Sequence, residues 1–409
     1  MRQIRNWLTS VCVVLVWSSW AQTPTITDFN PKAASYGTTI TITGTNFSTT
    51  PVLNAVFFGN VKATVDSCTS TTIYVRVPSG AQYKKISVTA NNRTVVTKFV
   101  FKPVNPCAPP LYSNSFRSPI MLTQAGLAFP VFPVIADFDM DGKPDVATVT
   151  KSVPIKINIY KNNSTTGANM TASSFTKLTD INAFGSGTTA GGTNITAADL
   201  DGDGRQDLVV PAGGNTIIAI ARNTGSSGTI QFDAPVSINT SGLPIFAGAA
   251  DIDGDGRPEI LAITSGASPV LNILRNQKAT AGNFVAADFA TAVTFALPGT
   301  LGVSHFDVED FDGDGKLDIA VACSSAATIR IFRNQSTLGV INAASLSAPF
   351  SFGTSNTPMG IKIVDVDGDS KPDIVYTRVR TPVTTMPDSI VTVHRNLITA
   401  PGNFTGASF

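Results

Sequence analysis

Histidine is almost missing from this chain: there are two in 409 residues, beside four cysteines and three tryptophans, and only 14% of the residues are charged. So little His and Cys argues against zinc and copper sites, which draw on imidazole and thiolate. It also removes most partners for nucleophilic or acid–base chemistry, which needs a poised pair held by a third group. The protein is therefore expected not to be an enzyme, with no catalytic residue. Beyond the N-terminal segment no stretch is long and apolar enough to cross a bilayer, so neither a membrane span nor nucleic acid is an expected partner.

What the chain does have is acid, and it is concentrated. Five nine-residue stretches hold twenty of the 28 acidic residues: DFDMDGKPD from Asp137, DLDGDGRQD from Asp199, DIDGDGRPE from Asp251, DFDGDGKLD from Asp310 and DVDGDSKPD from Asp365. Each close pair of like charges costs roughly 4 kcal/mol at a surface-like dielectric, so such clustering implies a bound hard cation. Positions 1, 3, 5 and 9 are Asp137, Asp139, Asp141 and Asp145; Asp199, Asp201, Asp203 and Asp207; Asp251, Asp253, Asp255 and Glu259; Asp310, Asp312, Asp314 and Asp318; Asp365, Asp367, Asp369 and Asp373. Position 7, which is Lys143, Arg205, Arg257, Lys316 or Lys371, would add a backbone carbonyl, as in known Ca²⁺ loops. All-oxygen ligation of this flexible kind favours Ca²⁺, about five ions in all.

An EF-hand is excluded, because it needs a bidentate Glu at position 12, where this chain has Thr148, Val210, Ala262, Val321 and Tyr376. The residues after each loop read instead as strand: Val146 to Val149, Leu208 to Val210, Ile260 to Ile263, Ile319 to Ala322 and Ile374 to Tyr376. The loops are unequal. Loop one carries Met140 at position 4, Glu259 lengthens the closing ligand of loop three, and loop five has Ser370 where a positive φ is needed. Loop five is expected to bind most weakly.

The first aspartates lie 62, 52, 59 and 55 residues apart, a period that signals a propeller or solenoid. Each unit adds a Phe before its loop (Phe116, Phe175, Phe232, Phe289, Phe350) and a strand ending in a basic residue and Asn (Asn162, Asn223, Asn276, Asn334, Asn396). Four strands per unit without helical periodicity fit an all-β propeller, with a parallel β-solenoid as runner-up. The units resemble FG-GAP or VCBS-type repeats, the calcium-loop blades of integrin α-like β-propellers, over residues 111–409. That resemblance implies structural Ca²⁺ at the loop positions named above. Such propellers have six to eight blades and five are visible here, so the ring is incomplete as it stands. Either blades without loops or, preferably, chain beyond Phe409 would close it, because an open ring exposes strand edges.

Residues 1–21 read as a signal peptide, with Arg2 and Arg5, an apolar run to Trp17, and Ser19 and Ala21 at the cleavage site. Residues 22–102 turn to Thr- and Val-rich alternation. The pattern PTITDFNPKAASYGTTITITGTNF, VFFGNVKATV and TTIYVRVPSGA resembles an IPT/TIG domain, an immunoglobulin-like β-sandwich. Residues 103–110, PVNPCAPP, form a stiff linker. Cys323 is expected to be a buried thiol, and Cys68 and Cys107 are candidates for a disulfide in an exported protein.

His305, near Asp307 and Glu309, is the one other cluster, with an outer-shell role near a metal as its expectation; His394 reads as an ordinary strand residue. Without the signal the chain has 27 basic and 28 acidic residues, and five Ca²⁺ would bring its charge from −1 to +9. The expected function is a secreted, extracellular or cell-surface adhesion protein, stabilised by calcium, that recognises a glycan or cell-surface protein. It would be part of a longer chain. Alternatives are the non-catalytic portion of an exported polysaccharide-degrading enzyme and a structural surface-layer component.

Overall fold

The computed structural model describes residues 23–104, 119–122, 130–151, 153–165, 169–184, 194–297, 305–367, 369, 371–379 and 389–400. Residues 1–21, expected as a signal peptide, the linker from residue 105 with Cys107, and Phe116, Ser370 and Phe409 lie outside these residues. The fold is all-β.

Strict alternation builds the first module. In Thr39–Thr45 (TITITGT) the isoleucines Ile40 and Ile42 turn inward and are fully buried while Thr39, Thr43 and Thr45 face out, the period-2 pattern of a half-buried strand. One sheet runs Thr25–Asn30, Thr39–Thr45, Thr72–Arg76, Val65–Cys68; the other runs Ala33–Ala34, Arg93–Pro103, Lys84–Ala90, Ala55–Phe58, Val61–Ala63. Their inner faces share a core that includes Phe29, Ile73, Ile86 and the edge-to-face pair Phe58 and Phe101, 4.8 Å between centroids.

Five antiparallel meanders come next along the chain, and they exclude the parallel solenoid. Blade one comprises Pro130–Ala136, Asp145–Thr150, Lys156–Asn162 and Phe175–Lys177, with Ile181–Asn182 also on its third strand; blade two comprises Thr196–Ala198, Asp207–Pro211, Ile217–Ala221 and Val236–Asn239. Blade three is Leu243–Ala250, Glu259–Ser265, Val270–Leu274 and Val293–Ala296, and blade four His305–Glu309, Asp318–Cys323, Thr328–Phe332 and Phe350–Gly353. In blade five the described strands are Thr357–Val364, Asp373–Val379 and Ser389–His394. Every acidic loop joins the first strand of its blade to the second.

The second strands are apolar on both faces, as in Glu259–Ser265, because each sheet is covered on two sides. Separate cores accordingly lie between blades one and two, two and three, three and four, and four and five. Position 2 of each loop feeds this packing: Phe138, Leu200, Ile252 and Phe311 are 0–2% exposed, whereas Val366 on blade five is 52% exposed. The expected equivalence of the five phenylalanines fails in one unit. Asn162, Asn223 and Asn276 pair with Phe175, Phe232 and Phe289, but Asn334 pairs with Leu346, and Phe350 sits further on, opposite Ile331. A longer return segment in that unit shifts its aromatic away from the bridge.

The asparagine after each third strand is the joint between blades. Its Nδ2 donates to the position-2 carbonyl of the preceding loop: Asn223 to Phe138 O (2.8 Å), Asn276 to Leu200 O (2.7 Å), Asn334 to Ile252 O (2.7 Å) and Asn396 to Phe311 O (2.9 Å). The same amide reaches the position-8 carbonyl of its own loop, as Asn276 does to Pro258 O at 3.2 Å. Asn162 makes only that second bond, to Pro144 O at 2.9 Å. Asn276→Ala strands two buried carbonyls at about 1–3 kcal/mol each, and should lower stability by about 2–4 kcal/mol. Asn162→Ala should cost roughly half as much. Urea midpoints of the two variants test this, and equal losses would refute the joint.

Candidate metal centre

Backbone geometry aims the carboxylates. A positive φ at positions 4 and 6 turns the loop tightly: Gly202, Gly254 and Gly313 take φ of 73–76° at position 4, and Met140 is held at 60° in the same region, which a side chain rarely adopts. Position 1 then accepts N–H bonds from inside its own loop, as Asp199 does from Gly202 (2.9 Å), Asp203 (3.1 Å) and Gly204 (2.9 Å). Position 9 closes the loop on its own backbone. Asp207 accepts from Leu200 N–H (2.9 Å) and Asn223 N–H (2.8 Å), and Asp145, Asp318 and Asp373 repeat the pair of bonds.

Three carboxylates in every loop bring an oxygen within 4.8 Å of one another: Asp137, Asp139 and Asp145; Asp199, Asp201 and Asp203; Asp251, Asp253 and Asp255; Asp310, Asp312 and Asp318; Asp365, Asp367 and Asp373. The fourth acid, Asp141, Asp207, Glu259, Asp314 or Asp369, stands outside its trio. Glu259, expected as a longer ligand, accepts Ile252 N–H at 2.7 Å through Oε2, the bond that position 9 makes in the other loops. Position-7 residues donate their N–H to the position-5 carboxylate at 2.9–3.0 Å.

A second set of residues, whose role the sequence did not reveal, flanks the trios. The basic residue preceding each joint asparagine forks across positions 3 and 5. Arg222 holds Asp201 at 2.6 Å and Asp203 at 2.7 Å, Arg275 holds Asp253 (2.7 Å) and Asp255 (2.9 Å), and Arg333 holds Asp312 and Asp314 at 2.7 Å. Arg395 repeats the fork on Asp367 and Asp369, while Lys161 reaches Asp139 alone at 2.5 Å. The conspicuous Arg–Asn and Lys–Asn pairs were the only trace of this in the sequence.

One or two basic side chains per loop do not discharge four acids. Burial, reinforced by neighbouring carboxylates, pushes Asp137, Asp145, Asp199 and Asp251 up to about 7, Asp318 to about 8 and Glu259 to about 9. Asp251 Oδ1 and Glu259 Oε1 are buried with no hydrogen-bond partner among the described residues, a state that a cation would relieve. The donor set, oxygen only and convergent, fits a hard divalent ion. Loop five differs in burial: Asp137 and Asp139 are fully buried, but Asp367 is exposed.

The sandwich lies directly on these loops. Lys62 N–H donates to Asp137 Oδ2 (3.2 Å), Thr89 Oγ1 to Asp199 Oδ2 (3.0 Å) and Thr94 N–H to Gly256 O (2.6 Å), and Lys85 pairs with Glu309. This contact adds a second constraint on the glycines of loop two: a Cβ on Gly202 would stand 2.7 Å from the Asn92 backbone, and one on Gly204 2.6 Å from Ala55 Cβ.

The remaining candidates are engaged elsewhere. His305 packs on Phe246, 4.1 Å between centroids, and burial, then the Lys362 charge, lowers it to about 4. Its neighbours Asp307 and Glu309 pair with Lys362 and Lys85, so the expected cluster is not assembled. His394 stacks on Tyr376 within its sheet. Cys323 is a buried free thiol pushed up to about 11 by burial, and Cys68 is also free, beside Asn54 Nδ2 at 3.3 Å. Among the described residues Cys68 forms no bridge; its expected partner Cys107 lies outside them.

The IPT/TIG domain family matches residues 24–104, and two FG-GAP families match residues 137–210 and 310–376, and residues 191–232. Loop three falls outside those matches, yet it adopts the same geometry. No curated protein matches the chain. Similar solved structures include an auxiliary nutrient binding protein from Bacteroides ovatus, at 12% identity and TM-score 0.31 over 87% of this chain and 95% of that one. Another is a putative phosphatase from Bacteroides thetaiotaomicron, at 14% identity and TM-score 0.38 over 92% and 85%. No helix among the described residues is long and apolar enough to cross a membrane. Domains of these two kinds are typical of extracellular proteins and suggest a protein of binding or adhesion type. An IPT/TIG domain followed by FG-GAP repeats is what this chain carries.

Proposed function

We propose that this is a secreted or cell-surface binding protein whose acidic loops hold about five Ca²⁺ ions and which recognises a glycan or another protein. The observation that carries the reading is the crowding of carboxylates in five loops, most of them buried in loops one to three, with three in each loop bringing an oxygen within 4.8 Å of one another. Positions 1, 3, 5 and 9 and the position-7 carbonyl would hold the ion, which supplies charge neutralisation and no reaction. Loops one to three lie beneath the sandwich, so metal in them would fix the sandwich on the blades as well as the blades to one another.

Extracellular sites of this class bind with dissociation constants on the order of 10⁻⁴ to 10⁻³ M, and the stabilisation follows the ratio of free ion to that constant. Millimolar calcium should therefore raise the melting temperature over that in EGTA, and it should slow proteolysis between the sandwich and blade one. An unchanged melting temperature would sink the calcium reading.

The pH dependence has opposite signs in the two conditions. Without metal, carboxyls held near 7 to 9 in the fold bind protons more tightly than in the unfolded chain. Their contribution is fully present below about pH 4 and is lost as pH rises through 7 and beyond. With calcium the ion replaces those protons, and its affinity grows over the same range. Thermal melts should therefore show the EGTA sample less stable at about pH 8 than at about pH 5.5, with the calcium-induced gain largest at about pH 8. Parallel pH profiles with and without calcium would contradict this.

A further inference from the structure

Between the sandwich and blades four and five lies a cavity of about 1300 Å³, larger than the roughly 300–1,000 Å³ of small-molecule sites. Its sandwich wall is the outer face of Lys84–Ala90 and Arg93–Pro103, and it presents Lys84, Lys85, Lys98 and Lys102; the blade-five wall presents Lys362 and Lys371. These lysines do not simply offset the loop acids. Lys85 pairs with Glu309 and Lys362 with Asp307, but Lys84, Lys98, Lys102 and Lys371 hold no ion pair among the described residues. Desolvation by the facing walls, then the Lys362 charge, holds the Lys84 ammonium below its ordinary range, with Asp307 opposing, although the side chain itself stays exposed. Cations facing one another across a cleft create a demand for an anion.

Two other wall features narrow the ligand. The rings of Tyr83 and Phe99 line the cavity and are 46% and 39% exposed, a flat apolar surface on which a sugar ring can lie. Carboxylates of Asp307, Glu309 and Asp310 share the walls, and beyond their partners Lys362, Lys85 and the Gly313 and Gly315 N–H groups they keep acceptor capacity for hydroxyl donors. A DNA strand, with a charge about every 3.4 Å and no 2′-hydroxyls, would meet those carboxylates with its phosphates. A sugar chain whose acidic groups are separated by hydroxyls satisfies both sets.

We infer that this cavity binds an anionic oligosaccharide, its carboxylate or sulfate groups on the lysines and its rings against Tyr83 and Phe99. The inference rests on the proposed binding function and gives it a ligand class and a site. Calorimetric titration of the calcium-loaded protein tests it, with a sulfated heparin hexasaccharide, hexagalacturonate, an uncharged hexasaccharide and single-stranded DNA as probes. One or both acidic hexasaccharides should bind, more weakly as salt rises, and the two arms separate sulfate from carboxylate. The K84Q/K98Q/K102Q variant should lose at least tenfold in affinity, and Tyr83→Ala should also weaken binding. Both variants should keep the calcium-dependent melting shift.

Acidic-sugar binding that survives the three lysine substitutions would overturn the site, as would equal binding of the uncharged sugar, tighter binding of DNA, or no binding of either acidic probe. Any of these in a protein with an intact calcium response leaves the metal reading standing. A missing calcium response combined with lysine-dependent sugar binding would refute the metal reading alone.

Discussion

Mutual repulsion among buried carboxylates is the constraint around which this molecule is arranged. Backbone N–H groups at positions 4 to 7 orient the acids, arginines pair with positions 3 and 5 in loops two to five, and three carboxylates of each loop still bring an oxygen within 4.8 Å of one another. Among the described residues each loop sets one or two basic side chains against four acids. The strand entering a blade, the strand leaving it and the asparagine beyond all take their positions from the same nine residues.

Because the sandwich rests on the loops, the two modules behave as one electrostatic unit. Loops one to three are covered by its backbone and by Thr89, whereas Asp310, Asp312 and Asp365 of loops four and five line an open cavity. The same acidic pattern thus serves two settings: contact with the sandwich in loops one to three, and in loops four and five the wall of a cavity that carries lysines, which Asp199 of loop two also lines. Burial of the carboxylates tracks this division, from Asp139, fully buried in loop one, to Asp367, exposed in loop five.

Much of this was legible in the sequence because it is local. A two-residue period placed Ile40 and Ile42 inside a sandwich, and the DxDxDG spacing located the loops and the strand after each one. What stayed hidden depends on how sheets stack. The partner of Asn276 is Leu200 O, 76 residues away, and that of Asn334 is Ile252 O, 82 residues away; no spacing rule connects them. Gly202 and Gly204 could be read as turn residues, but their contact with Asn92 and Ala55 required the docked sandwich. Phe350 misled because a Phe at similar spacing need not share a register, and Leu346 fills the bridge instead. Glu259 closes its loop as the aspartates do, accepting the position-2 N–H of Ile252, a bond the sequence gives no sign of.

The asparagine joints also have a direction. In all four inter-blade pairs the amide donor belongs to the later unit and the carbonyl acceptor to the earlier one. A chain emerging N-terminus first therefore presents its acceptors before their donors are synthesised, and every new sheet finds a template already folded behind it. Vectorial growth of this kind limits mispairing among five near-identical segments, since a late unit has one vacant mate at the growing end.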